Sequence, residues 1–167
     1  MRITKSFSGK TFLIKTERSA FINMIEKDTV KLLRECDAGV KMGISSINDV
    51  MDYVGNRKFR DTLDTCCVEH KKIDREITEL LDRYGDDGKD PSPMAKGMSW
   101  LKTNVMLSVN DSDSTVADLM TDGCNMGVKS LNKYMNKYKA ADEVSKDIAK
   151  RLTNLEEKLA VDIRGYL

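Results

Sequence analysis

His70 is the only histidine in the chain, and Cys67 precedes it by three residues, one helical turn away. An imidazole and a thiol at that spacing are two ligand types for iron or zinc, with carboxylates as the natural additions. The same imidazole can instead be a hydrogen-bonded member of a packed core. Counting along the chain selects the acids. Asp37 lies 18 residues before Gly55 and His70 lies 15 after it. Across a tight turn at Gly55 these levels differ by ~4.5 Å of helical rise. Asp122 stands at the corresponding distance before a second turn near residue 140. The expectation is a polar core cluster of Asp37, His70 and Asp122. In the metal alternative, Cys67 joins Asp37, His70 and Asp122 as ligands.

Other reactive side chains read as core. Cys36, Cys66 and Cys124 fall on apolar stripes, where free cysteine behaves as a small hydrophobe. No C-x-x-C pair is present, and reduced thiols of a cytoplasmic protein are expected. Ser8-Gly9-Lys10-Thr11 ends like a phosphate-binding loop, but Thr4 stands where that loop needs glycine. The run from Asn110 to Ser114 lacks the glycine and the glutamate of a calcium loop; Thr115 and Thr121 stand there instead. No G-x-S-x-G, H-E-x-x-H or dinucleotide fingerprint occurs.

The elements that position these residues follow from periodicity. A helix from about 24 to 54 carries Leu33, Cys36, Val40, Ile44, Ile47, Met51 and Val54 at spacings of three and four. Gly55 is predicted as its left-handed cap and Asn56 as the cap of the next helix. That helix carries Phe59, Leu63, Cys66, His70, Ile73, Ile77, Leu80 and Tyr84. Both prolines, Pro91 and Pro93, fall in the connection that follows, with a short helix bearing Met94, Met98 and Leu101. A third helix carries Val116, Met120, Cys124, Val128, Leu131 and Met135, with Lys133 and Lys137 near its C-terminal end. Asp142 caps a fourth, with Val144, Ile148, Leu152, Leu155, Leu159 and Ile163. Residues 1–23 carry a net charge of +4 and no helical period, and read as a basic, disordered tail before a single domain of 24–167.

Residues 39–48 echo in 123–132, with five of ten positions identical: Gly39/Gly123, Met42/Met126, Gly43/Gly127, Ser46/Ser130 and Asn48/Asn132. A mid-helix glycine costs ~1 kcal/mol relative to alanine, so close helix packing at Gly39, Gly43, Gly123 and Gly127 is expected to offset it. The architecture predicted is all-α: two duplicated helical hairpins joined by a long crossover.

The run Cys36-Asp37-Ala38-Gly39 with Gly43, its echo Asp122-Gly123 with Gly127, the histidine of the second helix and the crossover bearing Trp100 resemble a bacterial ferritin-like family of unknown function. The resemblance covers about residues 25–167. It implies a ferritin-like four-helix bundle and, in the wider superfamily, a di-iron centre built with Glu-x-x-His on the second and fourth helices. Here the second helix reads Cys67-Val68-Glu69-His70 and the fourth, at Leu152-Thr153-Asn154-Leu155, offers no carboxylate or imidazole. The fold is therefore expected without the chemistry: no cofactor, with iron or zinc as the alternative.

A net charge of +1 with balanced acids and bases gives no broad nucleic-acid footprint. No apolar run approaches a membrane span. The function expected is non-enzymatic self-association, as a dimer, or binding of a protein partner, with Met94, Met98 and Trp100 as contact residues. A metal-binding or oxidoreductase bundle is the alternative.

Overall fold

Four of the predicted stripes fall on four long helices among the described residues. The computed structural model describes residues 8–91, 107 and 112–167, comprising α1 (Ser8–Val50), α2 (Arg57–Arg83), α3 (Asp113–Lys137) and α4 (Glu143–Asp162). Short 3-10 turns follow α1 (Met51–Tyr53) and α4 (Arg164–Tyr166). No strand occurs among the described residues, and no helix of theirs is long and apolar enough to cross a membrane. Met94, Met98 and Trp100 and their short helix lie outside the described residues.

The stripes meet in two apolar clusters. One joins Ile47, Val50 and Val54 to Phe59, Leu63, Val116, Met120, Leu159 and Ile163, with Tyr166 stacked on Phe59 at 4.5 Å. The other joins Leu32, Leu33, Cys36 and Val40 to Ile77, Leu81, Leu131, Ile148 and Leu152. The first cluster holds the starts of α2 and α3 and the ends of α1 and α4. Helices α2 and α3 therefore run in one direction and α1 and α4 in the other.

Side chains fasten one hairpin to the other at both ends. The Asp113 carboxylate accepts the backbone N–H groups of Gly55 at 2.8 Å and Asn56 at 3.0 Å. At the far end Thr29 Oγ1 accepts the N–H of Asp142 at 2.9 Å, and Asp28 accepts that of Ala140 at 3.2 Å. Asn56 and Asp142 cap their helices as the sequence predicts, and Ser112 caps α3 in the same way. Asn56 accepts from Phe59 N–H, Ser112 from Thr115 N–H and Asp142 from Ser145 N–H.

Two boundaries differ from expectation. Helix α1 begins at Ser8, sixteen residues before the predicted start at Met24. No proline interrupts 8–23, so the backbone stays helical; residues 19–24 are exposed, and burial sets in near Thr29. Phe21 and Ile22 are 59% and 53% exposed, whereas Thr29 and Leu32 are buried. Gly55 is not a left-handed cap either: α1 ends at Val50, and positive φ occurs only at Gly85 and Gly88 among the described residues. Gly85, at φ +64°, closes α2 instead. Asp86 N–H bonds to the Leu81 carbonyl and Gly85 N–H to that of Asp82, the paired bonds of a Schellman ending.

Candidate functional site

Where the two apolar clusters meet, four polar side chains converge. His70 on α2 is 1% exposed and Glu156 on α4 is 8% exposed. His70 Nε2–H donates to Glu156 Oε1 at 3.0 Å, and Nδ1–H donates to the Cys66 carbonyl at 2.9 Å. Cys66 Sγ lies 3.5 Å from Nδ1. Cys124 on α3 lies close enough to Glu156 to feel its charge. Helical repeat puts these groups together: Cys66 is one turn before His70, and Glu156 is four residues after Leu152 and three before Leu159.

Both ring nitrogens face acceptors, so the arrangement suits an imidazolium with a proton on each. Burial alone pushes the His70 pKa down. The hydrogen bonds to Cys66 and Glu156, with the negative charge of Glu156, outweigh that and hold it at about 10. Burial pushes the Cys124 thiol well above its ordinary value, and the neighbouring charge of Glu156 pushes it further. Cys36 is raised to about 12, chiefly by burial. Neither Cys36 nor Cys124 is an activated nucleophile, since a thiolate needs the opposite shift.

Glycines of α1 and α3 make room for the pair. A Cβ at Gly43 would lie 2.7 Å from His70 Nε2 and 2.8 Å from Cδ2, which no packing tolerates. A Cβ at Gly127 would meet Glu156 Cγ and Cδ at 3.4 Å, a tight but adjustable distance. Gly39 has only ordinary space, 3.9 Å from Leu152, and Gly123 meets nothing within 4 Å. Close packing thus applies to Gly43 and Gly127 and not to Gly39 or Gly123.

The expected cluster of Asp37, His70 and Asp122 is not assembled. His70 is level with Gly43, six residues from Asp37 and ~9 Å along the axis. The estimate from Gly55 misplaced it because the chain leaves α1 at Val50 through a 3-10 turn and extended residues. Asp37 is buried, but it serves the connection: Oδ2 accepts Lys89 N–H at 2.7 Å and Lys41 Nζ–H at 2.9 Å. Gly88, at φ +80°, lies so close that a Cβ would collide with this carboxylate. Asp86 pairs with Arg34 and Lys89 Nζ with Glu35, so this stretch is strapped across α1. Asp122 is exposed on α3, and Cys67 Sγ is directed toward Asn48 Oδ1 at 4.0 Å.

The alternative ligand set of Asp37, Cys67, His70 and Asp122 therefore does not converge. Among the described residues no group of three or more histidine, cysteine or acidic side chains is disposed to hold a metal ion. His70 has no free nitrogen lone pair while both its bonds stand. The expectation that the fourth helix lacks a polar partner is also corrected. Sequence reasoning compared His70 with Leu155, one residue short of Glu156. The signal lay in the caps: Asn56 and Asp142 are 86 residues apart, as are His70 and Glu156. Comparison with protein-family models, curated proteins and solved structures finds no match to this chain.

Proposed function

We propose that this chain is a ferritin-like bundle of two duplicated hairpins, α1–α2 and α3–α4. Its interior has replaced ligand chemistry with an ion pair, and its role is non-enzymatic: self-association, or binding of a protein partner. The observation that carries this reading is the His70–Glu156 bond between Gly43 and Gly127. Bundles of this superfamily place a glutamate on two helices and Glu-x-x-His on the other two. In the register set by the pair, those positions hold Gly43, Cys67 with His70, Gly127, and Thr153 with Glu156. Both positions of α4 are buried. One carboxylate facing one imidazolium is self-neutralising and leaves no net negative charge to attract a cation.

The duplication is supported by the echo of 39–48 in 123–132, 84 residues on, and by the caps 86 residues apart. The stretch from the repeat to the following cap is two residues longer in the second hairpin, eight from Asn48 to Asn56 against ten from Asn132 to Asp142, because α3 stays helical to Lys137. The parallel course of α2 and α3 is what a long crossover between the hairpins produces.

Native mass spectrometry, after purification and incubation with iron(II), zinc(II) or manganese(II), tests both limbs. A metal-free dimer is expected. Stoichiometric metal that disappears in His70→Ala would overturn the interior's assignment. A metal-free monomer at every concentration would overturn self-association.

A further inference from the structure

Helix α1 outruns the bundle. Asp28 and Thr29 accept N–H groups of the α3–α4 turn, and α2 closes at Tyr84 beside Glu26. The stretch 8–27 of α1 therefore stands past the ends of the other three helices. At ~1.5 Å per residue it projects by ~30 Å.

The core stripe of α1 does not stop where its neighbours do. Phe21, Ile25, Thr29 and Leu32 follow at spacings of four, four and three, and Ile22 stands three before Ile25. These residues share the face of α1 that carries Leu33 and Cys36 into the core. Yet Phe21 and Ile22 are exposed, as is Met24 beside them. Tyr84 at the end of α2 and Val144 at the start of α4 are exposed at the same end of the molecule. Half of the large hydrophobic side chains exposed among the described residues thus gather there.

The projecting stretch and the bundle end form the two walls of a notch. One wall is the inward face of α1; the other is the ends of α2 and α4. A flat surface such as a bilayer meets the bundle end before it reaches the α1 wall. A single helix laid along α1 fits. Charge selects its direction. The projecting stretch carries Lys10, Lys15 and Arg18 against Glu17 alone up to residue 20. The bundle end is acidic around Tyr84: burial, then the charges of Asp142 and Glu26, push its hydroxyl above the ordinary range, with Arg83 opposing. Glu143, next to Val144, is exposed while pairing with Lys146.

We propose that two copies of this chain associate through their projecting stretches, antiparallel about a two-fold axis, each stretch seated in the notch of the other. The notch is as long as the helix that fills it, because the same stretch is both wall and occupant. The pattern is self-complementary, as a two-fold interface requires. Each basic tip arrives at the acidic bundle end of the second copy, whereas a parallel pairing would set the two tips together. Phe21, Ile22 and Ile25 supply the apolar contact, and the charges at its rim fix orientation.

The proposal names the surface for the self-association put forward above and rests on that reading. Sedimentation equilibrium of the full chain tests it, with circular dichroism confirming that each variant is folded. Phe21→Asp/Ile22→Asp changes only exposed side chains of the single copy and is expected to raise the dimer dissociation constant about a hundredfold or more. Val161→Asp, as exposed but near the opposite end, should leave it unchanged. The native cysteines are buried, so introduced thiols report the course of the helices. A mixture of Ser8→Cys and Val144→Cys copies should form a disulfide between copies under mild oxidation. A wild-type monomer would overturn both readings, and its flotation with phosphatidylglycerol vesicles, lost in Phe21→Asp/Ile22→Asp, would assign the face to lipid. A wild-type dimer indifferent to Phe21→Asp/Ile22→Asp would overturn this surface and leave self-association standing. Cross-linking of Ser8→Cys copies to each other, without the mixed product, would overturn the antiparallel course.

Discussion

Residues 39–48 and 123–132 share half their side chains and sit on helices that play the same part in their hairpins, yet they meet different surroundings. In the first stretch Gly39, Met42 and Gly43 are half-buried; in the second, Gly123 and Met126 are exposed and Gly127 is half-buried. The paired glycines differ as well. Gly43 has an imidazole pressed against it, whereas Gly127 has the flexible stem of a glutamate. The difference shows that a repeated sequence fixes which face turns inward but not how tightly that face is filled. Tightness is decided by the side chain opposite, and the two hairpins place histidine in one case and glutamate in the other.

The largest change is expected from breaking the pair on which the contrast turns. His70→Ala or Glu156→Ala leaves an uncompensated buried charge, and each should lower unfolding free energy in urea by about 3–5 kcal/mol. The double variant should lose much less than the sum, and simple additivity would contradict the coupling. Gly43→Ala forces the imidazole aside and should cost about 1–3 kcal/mol. Gly127→Ala sharpens the comparison: the glutamate stem can shift, and better helix propensity returns up to about 1 kcal/mol, so little net change is expected. Equal losses at the two glycines would erase the asymmetry.

A pH series probes the same pair. The ordinary value for histidine is about 6.5, and the folded value of His70 is about 10. The folded state therefore binds this proton more tightly than the unfolded one. The stabilisation is complete below about pH 6.5. It declines as pH rises above that and is gone once pH passes through the folded value. Urea midpoints of wild type and His70→Gln, taken at about pH 6, 8 and 10, should converge with rising pH. A constant gap would contradict the assignment. The smallest effect is a gain: Gly123→Ala, on an open helix face, should stabilise the monomer by about 0.5–1 kcal/mol. Destabilisation there would mean that the face is not open.

Much of this was legible in the chain because burial and helical period coincide. Leu33, Cys36, Val40, Ile47 and Val54 lie inside, as do Phe59, Leu63, Ile73 and Ile77, all at predicted positions. The Asn56 and Asp142 caps were legible because a short polar side chain before an apolar period has one common use. The start of α1 was not, since a helix can run on without an apolar stripe and then leaves no period to read. Val144 and Tyr84 continue stripes numerically but emerge at helix ends, where α4 has begun and α2 has run out of neighbours. Glu156 was hidden by its charge. The pair Glu156-Glu157 beside Leu155 suggests a solvated turn, and only the further run of α3 to Lys137, which adds two residues between the repeat and the Asp142 cap, brings Glu156 level with His70.

The carboxylate of Asp113 and the hydroxyl of Thr29 have a further consequence. Each ties backbone of one hairpin to the other, at opposite ends of the molecule. Mutual recognition of the halves is thus written into the ends and does not depend on the covalent link. A chain severed between residues 91 and 107 should reassemble from separately expressed fragments, a complementation that Asp113→Ala and Thr29→Val together would impair.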